Sequence, residues 1–263
     1  MPDPTVTRSD AGPLPALPEQ HSAVVVDTAP AGWFGKLPML GDFASRRLPE
    51  AFIRPWDDWL QASLAAAKDA TGERWLDLYL TFPVWRFVIP AGLAGDAGWV
   101  GVLLPSVDRV GRCFPLTICE QVDSRTLDAA GLVGIDAHLS LLADAGIEAL
   151  DAGVVDFLER RLTALPALRA APDRPSIALE AWSPRSRQST PLPAPACVWS
   201  LTDPLAATLS AAASRYVIAT LGHRVLWWSP ASEGNGDVGP RGALRLEPYP
   251  LSSNLLGVLI GTD

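Results

Sequence analysis

The chain has only three cysteines, three histidines and two methionines in 263 residues, and these shortages exclude several chemistries. Cys113, Cys119 and Cys197 form no Cys-x-x-Cys pair, too few and too scattered for a disulfide framework. Reduced, mostly buried thiols are the expectation. A structural zinc site needs four converging ligands and a catalytic one at least three, whereas His21, His138 and His223 are dispersed and Asp136 with His138 makes no recognisable metal pair. Cys113 and Cys119 would share one face of a strand, which is half a metal site and more simply two small core residues. Neither a metal nor a cofactor is expected.

Positive charge is also short. Lys and Arg total 21 against 29 Asp and Glu, a net charge of −8, and basic residues adjoin only in pairs such as Arg46-Arg47 and Arg160-Arg161. Nucleic acid presents dense phosphate and is met by a basic face, and anionic lipid calls for a polybasic cluster, so neither is expected as a partner. No segment approaches the roughly 18 continuous apolar residues of a membrane span. The N-terminal MPDPTVTRSDAGPLPALPEQHSAVVVDTAP has no basic start leading into an apolar run, so it does not read as a secretory signal. The expectation is a cytoplasmic protein without membrane insertion.

Catalytic motifs are missing as well. Gly35-Lys36 lacks the spaced glycine and the following Ser or Thr of a phosphate-binding loop. No Gly-x-Gly-x-x-Gly opens a helix, and no Gly-x-Ser-x-Gly supplies a nucleophile elbow. Ser106, Asp108 and His223 assemble a triad on paper only, because a triad is a matter of geometry. Asp42, Asp57 and Asp58 suit solvated turn and helix positions. No catalytic residue is assigned, and the chain is not expected to be an enzyme.

What is present suits a folded domain: 48% hydrophobic residues, 19% charged, and ten Trp to fill a core. Residues 1–30, rich in Pro and small residues, read as a flexible tail, with Val24–Val26 the one strand candidate within it. Residues 31–263 read as one domain. Strands are expected at 33–37, 84–89, 98–104, 113–119, 197–201, 216–220 and 224–228, with Pro115 marking the 113–119 run as irregular or at an edge near its start. A helix is expected within 49–71, its regular part starting at Pro55 as a first-turn residue, with Phe52, Trp56, Trp59, Leu60 and Leu64 on one face. Trp75–Leu80 suggests a further helical turn. One amphipathic helix follows Arg125, bent near Gly146, and a second ends before Pro166. Asp203-Pro204 caps a helix reaching Ser214. The stretches 183–195 and 229–242 read as loops. The sum is an α+β fold, helices packed on a mainly antiparallel sheet in a three-layer-like arrangement.

Two segments, 32–60 and 84–117, concentrate Gly, Pro, Trp, Asp and Arg at element ends. Lys36, Asp42, Arg46, Trp85, Arg86, Ser106, Asp108, Arg109 and Arg112 are the candidates there, either for binding a partner or for structuring the loops. Asp108 suits acceptance of loop amides or pairing with Arg109 or Arg112.

The run of Gly35-Lys36-Leu37-Pro38, Gly41-Asp42-Phe43, Ser45-Arg46, Leu48-Pro49, Phe52, Pro55-Trp56, Trp59-Leu60, Trp85-Arg86-Phe87, Pro105-Ser106-Val107-Asp108-Arg109-Val110-Gly111-Arg112 and Phe114-Pro115-Leu116 resembles the TagF N-terminal family of type VI secretion accessory proteins. The likeness is dense over 32–120. It is looser over 121–263, where it rests on helical patterning and Leu226-Trp227-Trp228. The resemblance implies a post-translational repressor of the secretion apparatus that acts by protein–protein binding. The partners it implies are type VI secretion components, among them a forkhead-associated scaffold protein and the kinase–phosphatase pair controlling assembly. Some relatives carry a PP2C-type phosphatase domain; after residue 120 this sequence has no Asp-Gly-rich metal-binding pattern of that class, so phosphatase activity is not carried over. Two alternatives stand beside this reading. One is a structural component of the apparatus. The other is a hydrolase or small-ligand binder using the 105–112 loop, which requires a deep polar pocket around Ser106, Asp108 and Arg112.

Overall fold

The computed structural model describes residues 30–168, 180–181, 197–198, 213, 217–218, 220–230 and 243–261. Residues 1–29 of the tail expected over 1–30, the loop over 183–195, residues 231–242 of the later loop, most of the 203–214 helix and the strand beyond Val198 lie outside the described residues. In chain order the elements are β1 (Gly32–Gly35), β2 (Ala44–Arg46), α1 (Glu50–Thr71), a 3-10 turn (Gly72–Arg74), α2 (Trp75–Thr81), β3 (Trp85–Ile89), β4 (Gly98–Leu104), β5 (Leu116–Val122), α3 (Ser124–Ala152), α4 (Val155–Ala164), β6 (Glu180–Ala181), β7 (Cys197–Val198), β8 (Arg224–Ser229), β9 (Ala243–Pro248) and α5 (Leu255–Leu259).

Seven strands form one sheet in the order β2-β1-β5-β4-β3-β8-β9, while β6 and β7 pair separately. Every neighbouring pair in the large sheet is antiparallel. Because successive side chains of a strand point to opposite faces, the buried strands feed two cores. In β4, Val100, Val102 and Leu104 join Ile118, Ile135, Leu139 and Leu158 beneath α3 and α4. The intervening Trp99 and Leu103 join Phe52, Trp56, Leu60, Tyr79 and Leu256 beneath α1, α2 and α5. The result is the expected α+β fold, with helices covering both faces of an antiparallel sheet.

The second core is largely aromatic. Trp227 is fully buried, with ring centroids 5.2 Å from Phe87, 5.9 Å from Trp59 and 6.0 Å from Trp56. Gly101 makes room for the Phe87 ring: a Cβ there would lie 2.6 Å from that ring and 2.5 Å from the Cys119 Cβ.

Several expectations are corrected. Helix α1 starts at Glu50, not Pro55, which lies inside the helix. Pro49 caps it, with the Phe52 and Ile53 amides donating to the Pro49 carbonyl, and Phe52 is pinned against Trp99 at 4.2 Å between centroids. Tertiary packing of that first turn outweighs the amide hydrogen bond that Pro55 cannot make. Strand β5 begins at Leu116, past Pro115, and lies between β1 and β4 in the interior of the sheet. The break in α3 falls at Gly131, with φ 59° and ψ 172°. Gly146 is helical and serves close packing instead, since a Cβ there would meet Ile118 and Leu104 at 3.0 Å. The 216–220 stretch, expected as a strand from its β-branched content, is helical at Val217, Ile218 and Thr220.

Candidate functional site

The densest polar constellation among the sequence-selected residues lies where β4 turns back into β5. Leu104 ends β4, an isolated antiparallel bridge pairs Val107 with Cys113, and Leu116 starts β5. At the tip the Gly111 amide donates to the Asp108 carbonyl at 2.9 Å and the Asp108 amide donates to the Arg112 carbonyl at 3.1 Å. Gly111 has φ +80°, a left-handed backbone open to glycine at no steric cost.

Asp108 is the hub of this turn. Its side chain is fully buried, and one oxygen, Oδ1, accepts from the backbone amides of Val110 at 3.0 Å and Arg112 at 2.9 Å. The other, Oδ2, accepts from Arg112 Nε at 2.6 Å and lies 3.1 Å from Lys36 Nζ. Burial by itself disfavours the charged carboxylate, but the hydrogen bonds from Arg112, Lys36 and Val110 together outweigh it and hold Asp108 well below the usual carboxylate range.

The same contacts join the turn to the segment after β1. Arg112 Nη2 donates to the Gly41 carbonyl at 2.7 Å, and the Arg109 amide donates to the Leu40 carbonyl at 2.9 Å. Ser106 Oγ donates to the Lys36 carbonyl at 2.7 Å. The Tyr79 hydroxyl donates to the Ser106 carbonyl at 2.7 Å and accepts from the Ser106 amide at 3.2 Å. Burial pushes the Tyr79 phenol far above its ordinary pKa, so it stays neutral. Lys36 Nζ lies 4.9 Å from the centre of the Phe43 ring, a cation–π contact over the buried ion pair. Phe43 also meets Phe114 edge-on at 4.6 Å.

Lys36, Ser106, Asp108 and Arg112 therefore converge, with Arg109 on the same turn and Asp42 beside Gly41. Asp42 is exposed and accepts from the Phe43 amide at 2.8 Å. The other candidates lie elsewhere. Arg46, on β2, stands 6.0 Å from the Trp33 ring. Trp85 is buried, its indole donating to the Leu259 carbonyl at 2.9 Å. Arg86 reaches the opposite core and pairs with Asp136, which also accepts from Trp228 Nε1 at 2.6 Å. His223 is exposed in the turn before β8, and no hydrogen bond links it to Ser106 or Asp108, so the paper triad is not assembled.

Sequence reasoning missed Tyr79 at this turn and, elsewhere, Asp136 as the partner of Arg86 and the Arg47–Glu159 pair in which Glu159 also accepts from Trp33 Nε1 at 2.6 Å. Their partners lie 27 to 126 positions away, so no local spacing announces them. Among the described residues no group of three or more His, Cys, Asp or Glu is placed to hold a metal ion. None of the described helices is long and apolar enough to cross a membrane.

Chemically the turn is a brace. Ser106, Asp108 and Lys36 direct their polar atoms inward to one another and to backbone, while Arg109, Val110, Gly111 and half of Arg112 face outward.

The family model for the TagF N-terminal domain, described as type VI secretion system-associated, matches residues 32–165. Among solved structures, the crystal structure of PA0076 from Pseudomonas aeruginosa PAO1 is similar, with 30% identity and a TM-score of 0.60 over 89% of this chain and 94% of that one. No curated protein matches significantly.

Proposed function

From the premise that the chain belongs to the TagF N-terminal domain family of type VI secretion system-associated proteins, we propose that it is a cytoplasmic, non-enzymatic regulator that represses the apparatus by binding one of its protein components. A forkhead-associated scaffold protein is the partner that the family resemblance favours. The observation that carries this reading is the state of the polar residues in the family-matched segment: the Ser106 hydroxyl and the Asp108 carboxylate are both spent on holding the β4–β5 turn. A hydrolase would need one of them directed at a substrate. A binding protein needs the turn held rigid and its outer surface displayed.

The test is secretion of the tube protein in cells lacking the gene and in cells overproducing its product. Repression predicts increased secretion in the first and loss of secretion in the second. Unchanged secretion in both would remove the regulatory reading. Affinity capture of the intact protein, followed by mass spectrometry, then asks whether the scaffold protein co-purifies.

A further inference from the structure

We propose that the outer rim of the β4–β5 turn, formed by Arg109, Val110, Arg112 and the neighbouring Phe43, is a docking surface for an acidic protein segment carrying an apolar side chain. The proposal rests on the binding-protein reading above and assigns it a surface and a partner chemistry.

Three observations carry it. The first is charge. The whole chain is at −8, yet the two stretches that build this rim, 36–43 and 108–113, hold Lys36, Arg109 and Arg112 against Asp42 and Asp108. Asp108 is sealed inside by Lys36 and Arg112, which leaves Arg109, Arg112 and Asp42 facing solvent. The exposed Lys68 lies close enough to act electrostatically on the adjoining Cys113. The rim is thus a cationic spot on an anionic protein, and it favours carboxylate-bearing segments.

The second is an unused cation. Among the described residues the Arg109 guanidinium makes no hydrogen bond or ion pair; only its backbone amide is engaged, with the Leu40 carbonyl. Arg112 is anchored through Nε and Nη2, and its side chain is still 59% exposed. Its planar fork can therefore take a carboxylate without giving up the brace.

The third is apolar exposure at the same place. Val110, at the tip of the turn, is 68% exposed and Phe43 is 44% exposed. Phe43 is also held by Phe34 at 6.1 Å and by Phe114 at 4.6 Å between ring centroids. An aromatic and an arginine fixed in advance lose little freedom on binding, which is the character of interface anchors.

The test uses the full chain and a fluorescein-labelled dodecapeptide of alternating Glu and Leu-Asp steps, followed by fluorescence anisotropy. A Lys-for-acid peptide of equal length and a single-stranded oligonucleotide of equal charge serve as controls. Binding of the acidic peptide alone is expected, weakened about tenfold or more by Arg109→Glu and by high salt, and weakened severalfold by Val110→Ser. Both substitutions lie on an exposed turn tip, and unchanged melting would confirm that folding is intact. Equal binding of the oligonucleotide, or peptide binding indifferent to Arg109→Glu, would overturn the proposal. In cells, Arg109→Glu with Val110→Ser should raise secretion as gene deletion does. If deletion raises secretion and the double variant does not, the surface is wrong and the regulator stands. If deletion itself has no effect, the regulatory reading fails, and the anisotropy result alone decides the surface.

Discussion

Lys36 Nζ and Asp108 Oδ2 lie 3.1 Å apart with both side chains almost wholly removed from solvent, so the ammonium at the end of β1 and the carboxylate of the β4–β5 turn fix each other across 72 positions of sequence. Two buried charges coexist only because each is satisfied, Asp108 by two backbone amides and Arg112 as well. This contact ties the lysine of one segment to the aspartate and arginine of the other.

Replacing Asp108 by Asn keeps the shape and removes the charge, leaving Lys36 buried without its counter-ion. The protein is expected to melt at a lower temperature at pH 7. The folded carboxyl titrates below its unfolded value, so its stabilising contribution is complete above the ordinary carboxylate pKa of about 3.9 and is lost as pH falls from there through the depressed folded value. The melting-temperature gap between wild type and Asp108→Asn should therefore be constant near neutrality and narrow below about pH 4. A gap independent of pH down to acid unfolding would mean that Asp108 acts through hydrogen-bond geometry alone.

Trp227 gives the largest expected loss of stability. It is fully buried among Phe87, Trp56 and Trp59, and truncation to Ala should cost about 3–5 kcal/mol, read from denaturant midpoints. Trp227→Phe should cost much less. Among the described residues the indole N–H has no hydrogen-bond partner, so Phe removes an unsatisfied donor while it keeps most of the ring contact.

Gly101 faces the same core from β4. A methyl there would sit 2.5 Å from Cys119 Cβ and 2.7 Å from the Ile118 carbonyl oxygen, atoms held by the β4–β5 pairing. Gly101→Ala should destabilise by about 1–3 kcal/mol through overpacking, the reverse of the gain Ala gives at an ordinary strand glycine. Unfolding curves of Gly101→Ala and of a double variant with Cys119→Gly check the cause, since the second change should recover part of the loss.

The sheet was legible where strands are long and buried. β3, β4 and β8 announce themselves as apolar and β-branched runs between Pro or Gly, and α1 by its Phe52, Trp56, Trp59, Leu60 spacing. β2 and β9 carry no such signal. β2 has three residues, and β9, ALRLEP, is an edge strand whose Leu244 and Leu246 remain exposed. Val217 and Ile218 misled because β-branching expresses a fit to a half-buried surface rather than a backbone rule. At the site, the sequence placed Ser106, Asp108 and Arg112 on one turn, and spacing alone could do that. It could not show that Lys36 completes the ion pair or that Tyr79 grips Ser106, since both cross long stretches of chain.

Glu159 offers a comparison between a tied and a loose surface carboxylate. It accepts from Trp33 Nε1 at 2.6 Å and pairs with Arg47, and Arg47 also donates to the Ala31 carbonyl at 2.9 Å, so this one carboxylate locks α4 onto the start of β1 and the β2 edge. Burial opposes its ionisation, but the bonds from Arg47 and Trp33 prevail and lower its pKa. Its stabilising effect is therefore present above the ordinary Glu value of about 4.3 and lost as pH falls through the lowered folded value. Glu159→Leu, which removes the indole acceptor together with the charge, should cost about 1 kcal/mol at pH 7, partial exposure having weakened the pair. Glu148→Gln, which removes only the exposed bridge to Arg161, should cost about 0.5 kcal/mol or less. Chemical denaturation of the two variants at pH 7 in low and in 0.5 M salt, the latter a strongly screening condition of about 4 Å Debye length, separates them: salt should erase the Glu148 effect and leave most of the Glu159 effect, because the indole hydrogen bond does not depend on a second full charge.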